Sequence, residues 1–165
     1  MVGGDFLYQV GDKIVYPLHG AGIIEAIEKR EVLGVMNDYC IIKMPIGDVK
    51  IMIPMEKMEN VGIRRIVNAE TMESVLRTFH DHTSGSSVSW NQRYRLNMDK
   101  MKSGDIYKGA EVIRDLIQVH KEKGLGAGDK KMLDNAMQIL ISEFVLVMDV
   151  TEEKAADMLN QVAYS

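Results

Sequence analysis

Apolar residues change their spacing near residue 68, and this change divides the chain into two halves. Before it, short runs rich in β-branched residues alternate apolar and polar positions, as in Val49–Ile53. Alternation with a period of two is typical of half-buried strands. The predicted strands are Lys13–Tyr16, Gly22–Ile27, Tyr39–Met44 and Val49–Ile53, and turns are predicted at Gly34, Asn37-Asp38 and Gly47-Asp48. Short strands joined by tight turns favour a small curled sheet or barrel.

After residue 68 the apolar positions follow a helical period. Met72, Val75, Leu76 and Phe79 fall at i, i+3, i+4 and i+7, which predicts an amphipathic helix. A serine-rich connection follows at 82–89. The further predicted helices are about Trp90–Met101, Ile106–Lys123, Asp129–Met148 and Glu152–Val162.

Blocks of strands followed by blocks of helices predict an α+β fold and exclude a doubly wound sheet, in which the two would alternate. We expect two domains. Residues 1–68 form a small β-barrel, and residues 69–165 form a compact all-helical domain of about five helices.

The composition excludes several classes of protein. The 165 residues carry a net charge of −4, so the chain as a whole is not a general polyanion binder. The single cysteine, Cys40, excludes an internal disulfide and fits a reducing compartment. No apolar run approaches the ~20 residues of a membrane span, and residues 1–5 lack the positive charge that opens a signal peptide. We therefore expect a cytoplasmic protein without a membrane segment.

Positive charge is concentrated in one part of this acidic chain. Residues 90–131 hold ten Lys and Arg against six Asp and Glu, a net charge of +4, whereas residues 132–165 have a net charge of −5. One interpretation is a solvated helical surface of mixed charge. The other, which the asymmetry supports equally well, is a surface that contacts a polyanion.

The only tryptophan of the chain, Trp90, opens this basic segment. Arg93, Arg95, Lys100 and Lys102 follow it within about three helical turns. A flat apolar ring beside spaced cations is suited to wedge between bases while the cations contact phosphates. The alternative is that Trp90 lies on the apolar stripe of its helix and belongs to the core.

A second candidate phosphate contact is the segment Gly126–Lys131. Glycines flank a helix start here, and its free N–H groups, with Lys130 and Lys131, are suited to bind a phosphate. The alternative is a plain loop that leads into a helix.

The chain lacks the residue patterns of common catalytic sites. It has no Gly-x-x-x-x-Gly-Lys-Ser/Thr loop, no Gly-x-Ser-x-Gly elbow and no His-Glu-x-x-His motif. His80 and His82 have no cysteine or carboxylate cluster beside them, so we expect exposed histidines and no metal. Cys40 lies in mid-strand, where we expect a small buried apolar residue. We therefore predict no enzyme, no catalytic residue, no cofactor and no small-molecule substrate.

Several motifs of the chain match a known family. Val10–Gly22, with the sequence VGDKIVYPLHGAG, resembles the opening signature of the CarD/CdnL family of bacterial transcription regulators. This signature is also similar to the polymerase-interacting module of transcription-repair coupling factor, but only the CarD/CdnL type carries a helical second half. Further similar segments are Val61–Arg64, Ser103–Asp105, Ala110–Leu116 and Gly128–Leu133. The resemblance extends from about Val10 to Val147.

The resemblance implies a fold and a protein partner for the first half. It implies a Tudor-like (SH3-like) β-barrel that binds the β1 lobe of the RNA polymerase β subunit. A basic family position falls on Arg30, and a position that is arginine in some members is Met52 here. The predicted polymerase-binding residues are Arg30, Lys50, Ile51 and Met52. Met52, Met55 and Met58 either fill gaps in the core or form an adaptable contact surface.

For the helical half, the resemblance implies contact with promoter DNA at the upstream edge of the transcription bubble. The family tryptophan falls on Trp90, where it wedges at the minor groove beside the upstream fork and slows collapse of the bubble. Family basic residues fall on Arg93, Arg95 and Lys130, while a further basic position is Gln92 here. The predicted DNA-binding residues are Trp90, Arg93, Arg95, Lys100, Lys130 and Lys131.

The predicted function is therefore that of a transcription factor that binds RNA polymerase and stabilises the open promoter complex. The alternative is a protein-interaction adaptor that docks on RNA polymerase and recruits a second protein without contacting DNA. We expect a monomer, with dimerisation or domain swapping through an unpaired barrel edge as the alternative for the isolated protein.

Overall fold

The N-terminal half is a five-stranded antiparallel sheet. The computed structural model describes residues 7–81 and 89–165. Its strands are β1 (Lys13–Tyr16), β2 (Gly20–Val32), β3 (Val35–Lys43), β4 (Lys50–Pro54) and β5 (Arg64–Arg65). The strand order is β4-β3-β2-β1-β5, so β4 and β5 lie at the edges. The sheet is consistent with the predicted Tudor-like fold, and its core contains Ile14, Ile24, Ile42 and Met58.

Strands β2 and β3 are longer than predicted. They stay paired until Val32 lies opposite Val35. The two-residue turn between them, Leu33-Gly34, has positive φ at both residues, 54° and 78°, which suits the twist of a tight hairpin. The predicted turn at Asn37-Asp38 is wrong, because both residues lie in β3 and pair with β2. The hairpin turn fixes the register, and the backbone ladder then holds residues of low strand propensity.

Met52, Met55 and Met58 were predicted either to fill gaps in the core or to form a contact surface, and the outcome differs among them. Met55 and Met58 are buried in the sheet core, so the prediction of an adaptable contact surface is wrong for both. Met52 is 46% exposed and remains available for a contact. Met52 lies in the edge strand β4, whereas Met55 begins the 3-10 turn Met55–Lys57 and Met58 directly follows it. This turn packs against the sheet core.

Within the described residues, five α-helices form the C-terminal half, in agreement with the prediction. They are α1 (Ala69–Arg77), α2 (Trp90–Lys102), α3 (Ile106–Lys123), α4 (Ala127–Met148) and α5 (Glu152–Ala163). Asn68, Ser89, Asp105 and Thr151 cap four of them through their side chains. No helix in this part of the chain is long and apolar enough to cross a membrane.

The helical core is built from apolar residues of several helices. Met72, Leu116, Phe144 and Leu159 are almost completely buried there. Burial of such side chains is the main source of stability in a domain of this kind. Phe79, which the pattern placed in the first helix, lies in a short 3-10 turn that follows α1.

Helix α4 packs against β2 and joins the two halves along a seam. The backbone N–H of Ala21 donates to Ser142 Oγ at 2.8 Å, and Leu146 packs against Val15 and Ala21. Gly20 has φ +112°, and a Cβ there would lie 2.8 Å from Ser142 Oγ. This position of the seam therefore requires glycine.

A buried ion pair crosses the seam. Arg64 donates from Nη1 and Nη2 to the two carboxylate oxygens of Glu143, at 2.9 and 2.8 Å. Glu143 is 2% exposed, and it also accepts from the backbone N–H of Val67 at 3.0 Å. Arg64 Nε donates to the carbonyl oxygen of Gly104 at 2.7 Å. Both charges are thus paired and hydrogen-bonded, as buried charges must be.

Candidate DNA-contacting face and polymerase-binding groove

Trp90 is the first residue of α2, and its side chain is partly open to solvent. Ser89 caps the helix by accepting a hydrogen bond from the backbone N–H of Gln92, so the helix begins at the tryptophan. Trp90 is 48% exposed. It is therefore not a core residue, and about half of its surface is available for a contact.

Three neighbours hold the Trp90 ring in place. Its Nε1 donates to Asp129 Oδ2 at 3.1 Å. Its ring stacks on that of Tyr94, with centroids 5.3 Å apart and an angle of 27° between the planes. A Cβ added to Gly128 would lie 3.4 Å from Trp90 Cζ2, so the backbone of α4 runs beside the ring. The ring is fixed on these sides while the rest remains exposed.

Arg93 also binds Asp129. Its Nη2 donates to Asp129 Oδ2 at 2.9 Å, and its side chain is only 18% exposed. Its position three residues after Trp90 places both side chains on one face of α2. Because the guanidinium is paired inside the protein, this arrangement does not present it to a phosphate. A DNA contact by Arg93 stays a prediction.

Asp129 joins these groups, and the sequence analysis did not single it out. It is 1% exposed and lies in the first turn of α4, where the helix dipole stabilises a negative charge. Its Oδ2 accepts both hydrogen bonds, whereas Oδ1 is buried and has no hydrogen-bond partner among the described residues. The sequence signal was an acid in the first turn of a helix. Only the fold shows that this acid faces Trp90 and Arg93.

Three of the predicted DNA-binding cations are exposed and unpaired. Arg95, Lys130 and Lys131 form no ion pair with any described residue. Lys130 and Lys131 directly follow Asp129 in α4, so they lie at the helix start that the indole contacts. Arg95 projects about 140° around α2 from Trp90. Lys100 is less available, since it pairs with Glu111 at 3.6 Å.

On the sheet, the four predicted polymerase-binding residues line one shallow groove beside the edge strand β4. These residues are Arg30, Lys50, Ile51 and Met52, and the groove has a volume of about 390 Å³. Each cation is paired with an acid of the groove, Arg30 with Glu28 at 2.7 Å and Lys50 with Glu25 at 2.9 Å. The paired side chains are partly exposed, and ion pairs of this kind stabilise little and exchange easily.

Side chains with catalytic potential serve packing or lie at the surface. Cys40 is fully buried, and burial, together with the negative charge of Asp12, raises the pKa of its thiol to about 11. The thiol therefore stays protonated and unreactive at neutral pH. His80 is exposed, and His82 lies outside the described residues. The part of the chain that the structure describes contains no group of three or more His, Cys, Asp or Glu placed to hold a metal.

These features define a class of protein: a small β-sheet module with a groove at its edge, packed on a helical module that exposes a fixed aromatic ring. Residues 8–67 match the CarD-like/TRCF RID domain, and residues 74–160 match the C-terminal domain of CarD. The chain is 45% identical over 148 residues to a protein of Bacillus subtilis (strain 168) named "Putative transcription factor YdeB", which covers 90% of this chain and 97% of that protein.

The chain therefore belongs to the CarD family of transcription factors, which confirms the resemblance. The match to the RID domain implies an interaction with RNA polymerase. A family of transcription factors is typically non-enzymatic.

Proposed function

We propose that this protein binds the β1 lobe of the RNA polymerase β subunit and stabilises the open promoter complex. The groove beside β4 contacts the polymerase, and Trp90 contacts the upstream edge of the transcription bubble. The observation that carries the proposal is the half-exposed ring of Trp90, which is held by Tyr94 and by Asp129 at a helix start that also carries Lys130 and Lys131.

A fixed, half-exposed ring favours separated strands. Wedging an apolar side chain into stacked base pairs costs a few kcal/mol, whereas a step that is already open avoids most of this cost. Trp90 therefore binds the melted promoter better than the closed one. A factor shifts an equilibrium only by such a difference in affinity. A tenfold longer lifetime requires about 1.4 kcal/mol, which one aromatic contact and two phosphate contacts can supply.

Attachment to the polymerase makes weak DNA contacts sufficient. Tethering raises the local concentration of the helical half near DNA to roughly millimolar. A net charge of −4 is compatible with this arrangement, because the protein does not have to find DNA by itself. Helix α4 carries both the seam residue Glu143 and the ring contact Asp129, so the ring has a defined position relative to the sheet.

The edge strand β4 supports a polymerase contact. A strand of a partner can pair with an edge strand, and alternate side chains then supply specificity. Lys50, Ile51 and Met52 belong to β4, and Arg30 reaches the same groove from β2. Because Met52 stands where some relatives carry arginine, this contact depends less on charge here.

The proposal places the protein in the bacterial cytoplasm, at RNA polymerase on the nucleoid. It acts as a monomer, without a cofactor, a membrane segment or a small-molecule substrate. Its partners are the polymerase β subunit and promoter DNA at the upstream fork.

Trp90→Ala tests the proposal. We expect the lifetime of the open complex to fall about tenfold, toward its value without the protein, because the ring contact is lost. Decay of the complex is measured on a promoter fragment after addition of a competitor, and polymerase binding should be unchanged. Leu96→Ala is the matched control, since Leu96 is another exposed apolar residue of α2 (55% exposed) and its removal should have no effect.

An unchanged lifetime with Trp90→Ala, in protein that still binds the polymerase, would contradict the proposal. That result would favour the adaptor, in which the helical half recruits a second protein. Global unfolding of the variant would instead show that the ring is needed for folding, and circular dichroism distinguishes this outcome.

A further inference from the structure

Asp129 is a buried carboxylate that binds an exposed tryptophan. Its Oδ2 accepts from Trp90 Nε1 at 3.1 Å and from Arg93 Nη2 at 2.9 Å. Its Oδ1 is buried and accepts no hydrogen bond from the described residues. A buried polar atom without a partner lowers stability. Stability alone therefore does not explain why this carboxylate is buried here.

Arg93 holds Asp129 in turn. Its side chain is 18% exposed, and its charge compensates the buried carboxylate. Trp90 and Arg93 lie three residues apart, so one face of α2 presents both donors to a single oxygen. The result is a ring whose N–H edge is fixed although the side chain remains 48% exposed.

We infer that Asp129 is a positioning residue, which holds the indole of Trp90 in the orientation that meets the upstream edge of the bubble. This inference rests on the proposed function of Trp90. An unrestrained tryptophan on a surface samples several rotamers and loses this freedom when it binds, whereas a ring that is already fixed has little to lose. Asp129 thereby strengthens the contact with open strands without touching DNA.

Asp129→Ala tests the inference with two measurements. The first is the fluorescence of Trp90, which is the only tryptophan and therefore reports on this ring alone in the isolated protein. We expect a larger amplitude of fast local motion in time-resolved anisotropy. The second is the lifetime of the open complex, which should fall roughly threefold to tenfold, because the ring must now be ordered on binding. Polymerase binding should be retained.

Two further variants sharpen this test. Asp134→Ala is the matched control, since Asp134 is an exposed acid of the same helix and its removal changes the net charge equally. It should change neither measurement. Asp129→Asn keeps an oxygen that can accept the indole N–H, and we expect intermediate values of both anisotropy and lifetime. This variant also provides the test if Asp129→Ala does not fold.

Three results would overturn the inference. In Asp129→Ala, an unchanged anisotropy would show that the carboxylate does not hold the ring, and a freed ring with an unchanged lifetime would show that its orientation does not matter for DNA. Equal losses in the Asn and Ala variants would assign Asp129 to charge compensation of Arg93. If Trp90→Ala leaves the lifetime unchanged, the proposed function fails, whereas the anisotropy still decides whether Asp129 holds the ring.

Discussion

Helix α4 carries two buried carboxylates, and their surroundings differ. Glu143 is 2% exposed, and its two oxygens together accept three hydrogen bonds, two from Arg64 and one from Val67. Asp129 is 1% exposed, and one of its oxygens takes both hydrogen bonds while the other has no partner in the described part of the chain. Glu143 lies in the seam between the two halves, whereas Asp129 lies beside the exposed ring of Trp90.

The difference separates the structural part of the molecule from the part that we propose contacts DNA. A fully bonded carboxylate fixes two halves against each other. A carboxylate that is incompletely bonded is a feature expected of a functional site, where local rules of stability are broken. Changes in the seam should therefore act on stability, and changes at the ring should act on the open complex.

Arg64→Met has the largest expected effect. It leaves the carboxylate of Glu143 buried without its counter-charge, which should lower the free energy of unfolding by about 3 kcal/mol. Urea denaturation followed by circular dichroism measures this loss. Arg65→Met is the matched control, because the side chain of Arg65 is 54% exposed where it pairs with Asp12 and should contribute less than about 1 kcal/mol. Similar losses in both variants would contradict the structural role of the buried pair.

Trp90→Ala should have a small effect on stability and a large effect on the lifetime of the open complex. Because half of the ring is already exposed, we expect the free energy of unfolding to fall by only about 1 kcal/mol, while the open-complex lifetime shows the full loss. The same urea denaturation compares this variant directly with Arg64→Met. A loss of stability as large as that of Arg64→Met would remove the distinction between the two regions.

Neutralising the unpaired cations has the smallest expected effect. Each phosphate contact adds about 0.9 to the slope of log affinity against log salt, so the Arg95→Gln and Lys130→Gln double variant should flatten this slope by about 1.8. The measurement is the salt dependence of the protein's effect on the open complex. Lys100→Gln is the control, since Lys100 already pairs with Glu111. Equal slopes for the double variant and the parent would contradict the proposed phosphate contacts.

Sequence periodicity predicted the helices better than the strands. Helices α3 and α5 have clear apolar stripes and local end signals, namely the caps Asp105 and Thr151. The outer part of the β2–β3 hairpin was missed, because it has no buried face and therefore no alternation to detect. Strand β5 has two residues, which is too short for any pattern.

Local chemistry pointed to Trp90 and Lys130, but not to Asp129 or Glu143. The contacts of the two carboxylates join residues 39 and 79 positions apart, and only the fold determines these pairs. A sequence pattern shows which side chains are present, whereas a buried polar contact depends on the packing of two elements.

Three of the segments that resemble the family meet at the seam. Gly20 belongs to the opening signature, Arg64 to the segment Val61–Arg64, and Gly104 to Ser103–Asp105. Arg64 Nε donates to the Gly104 carbonyl, and a Cβ at Gly104 would lie 2.9 Å from Pro17 Cγ. These three segments therefore specify how the two halves fit together, whereas the segment Gly128–Leu133 carries the ring contact Asp129.

The most direct test of the central claim is the position of the DNA contact. Permanganate modifies unpaired thymines, so a footprint of the open complex with and without the protein reports on the edges of the bubble. We predict a change confined to the upstream edge, which is lost with Trp90→Ala and kept with Leu96→Ala. Identical upstream footprints with the parent protein and with Trp90→Ala would contradict a contact between this ring and the separated strands.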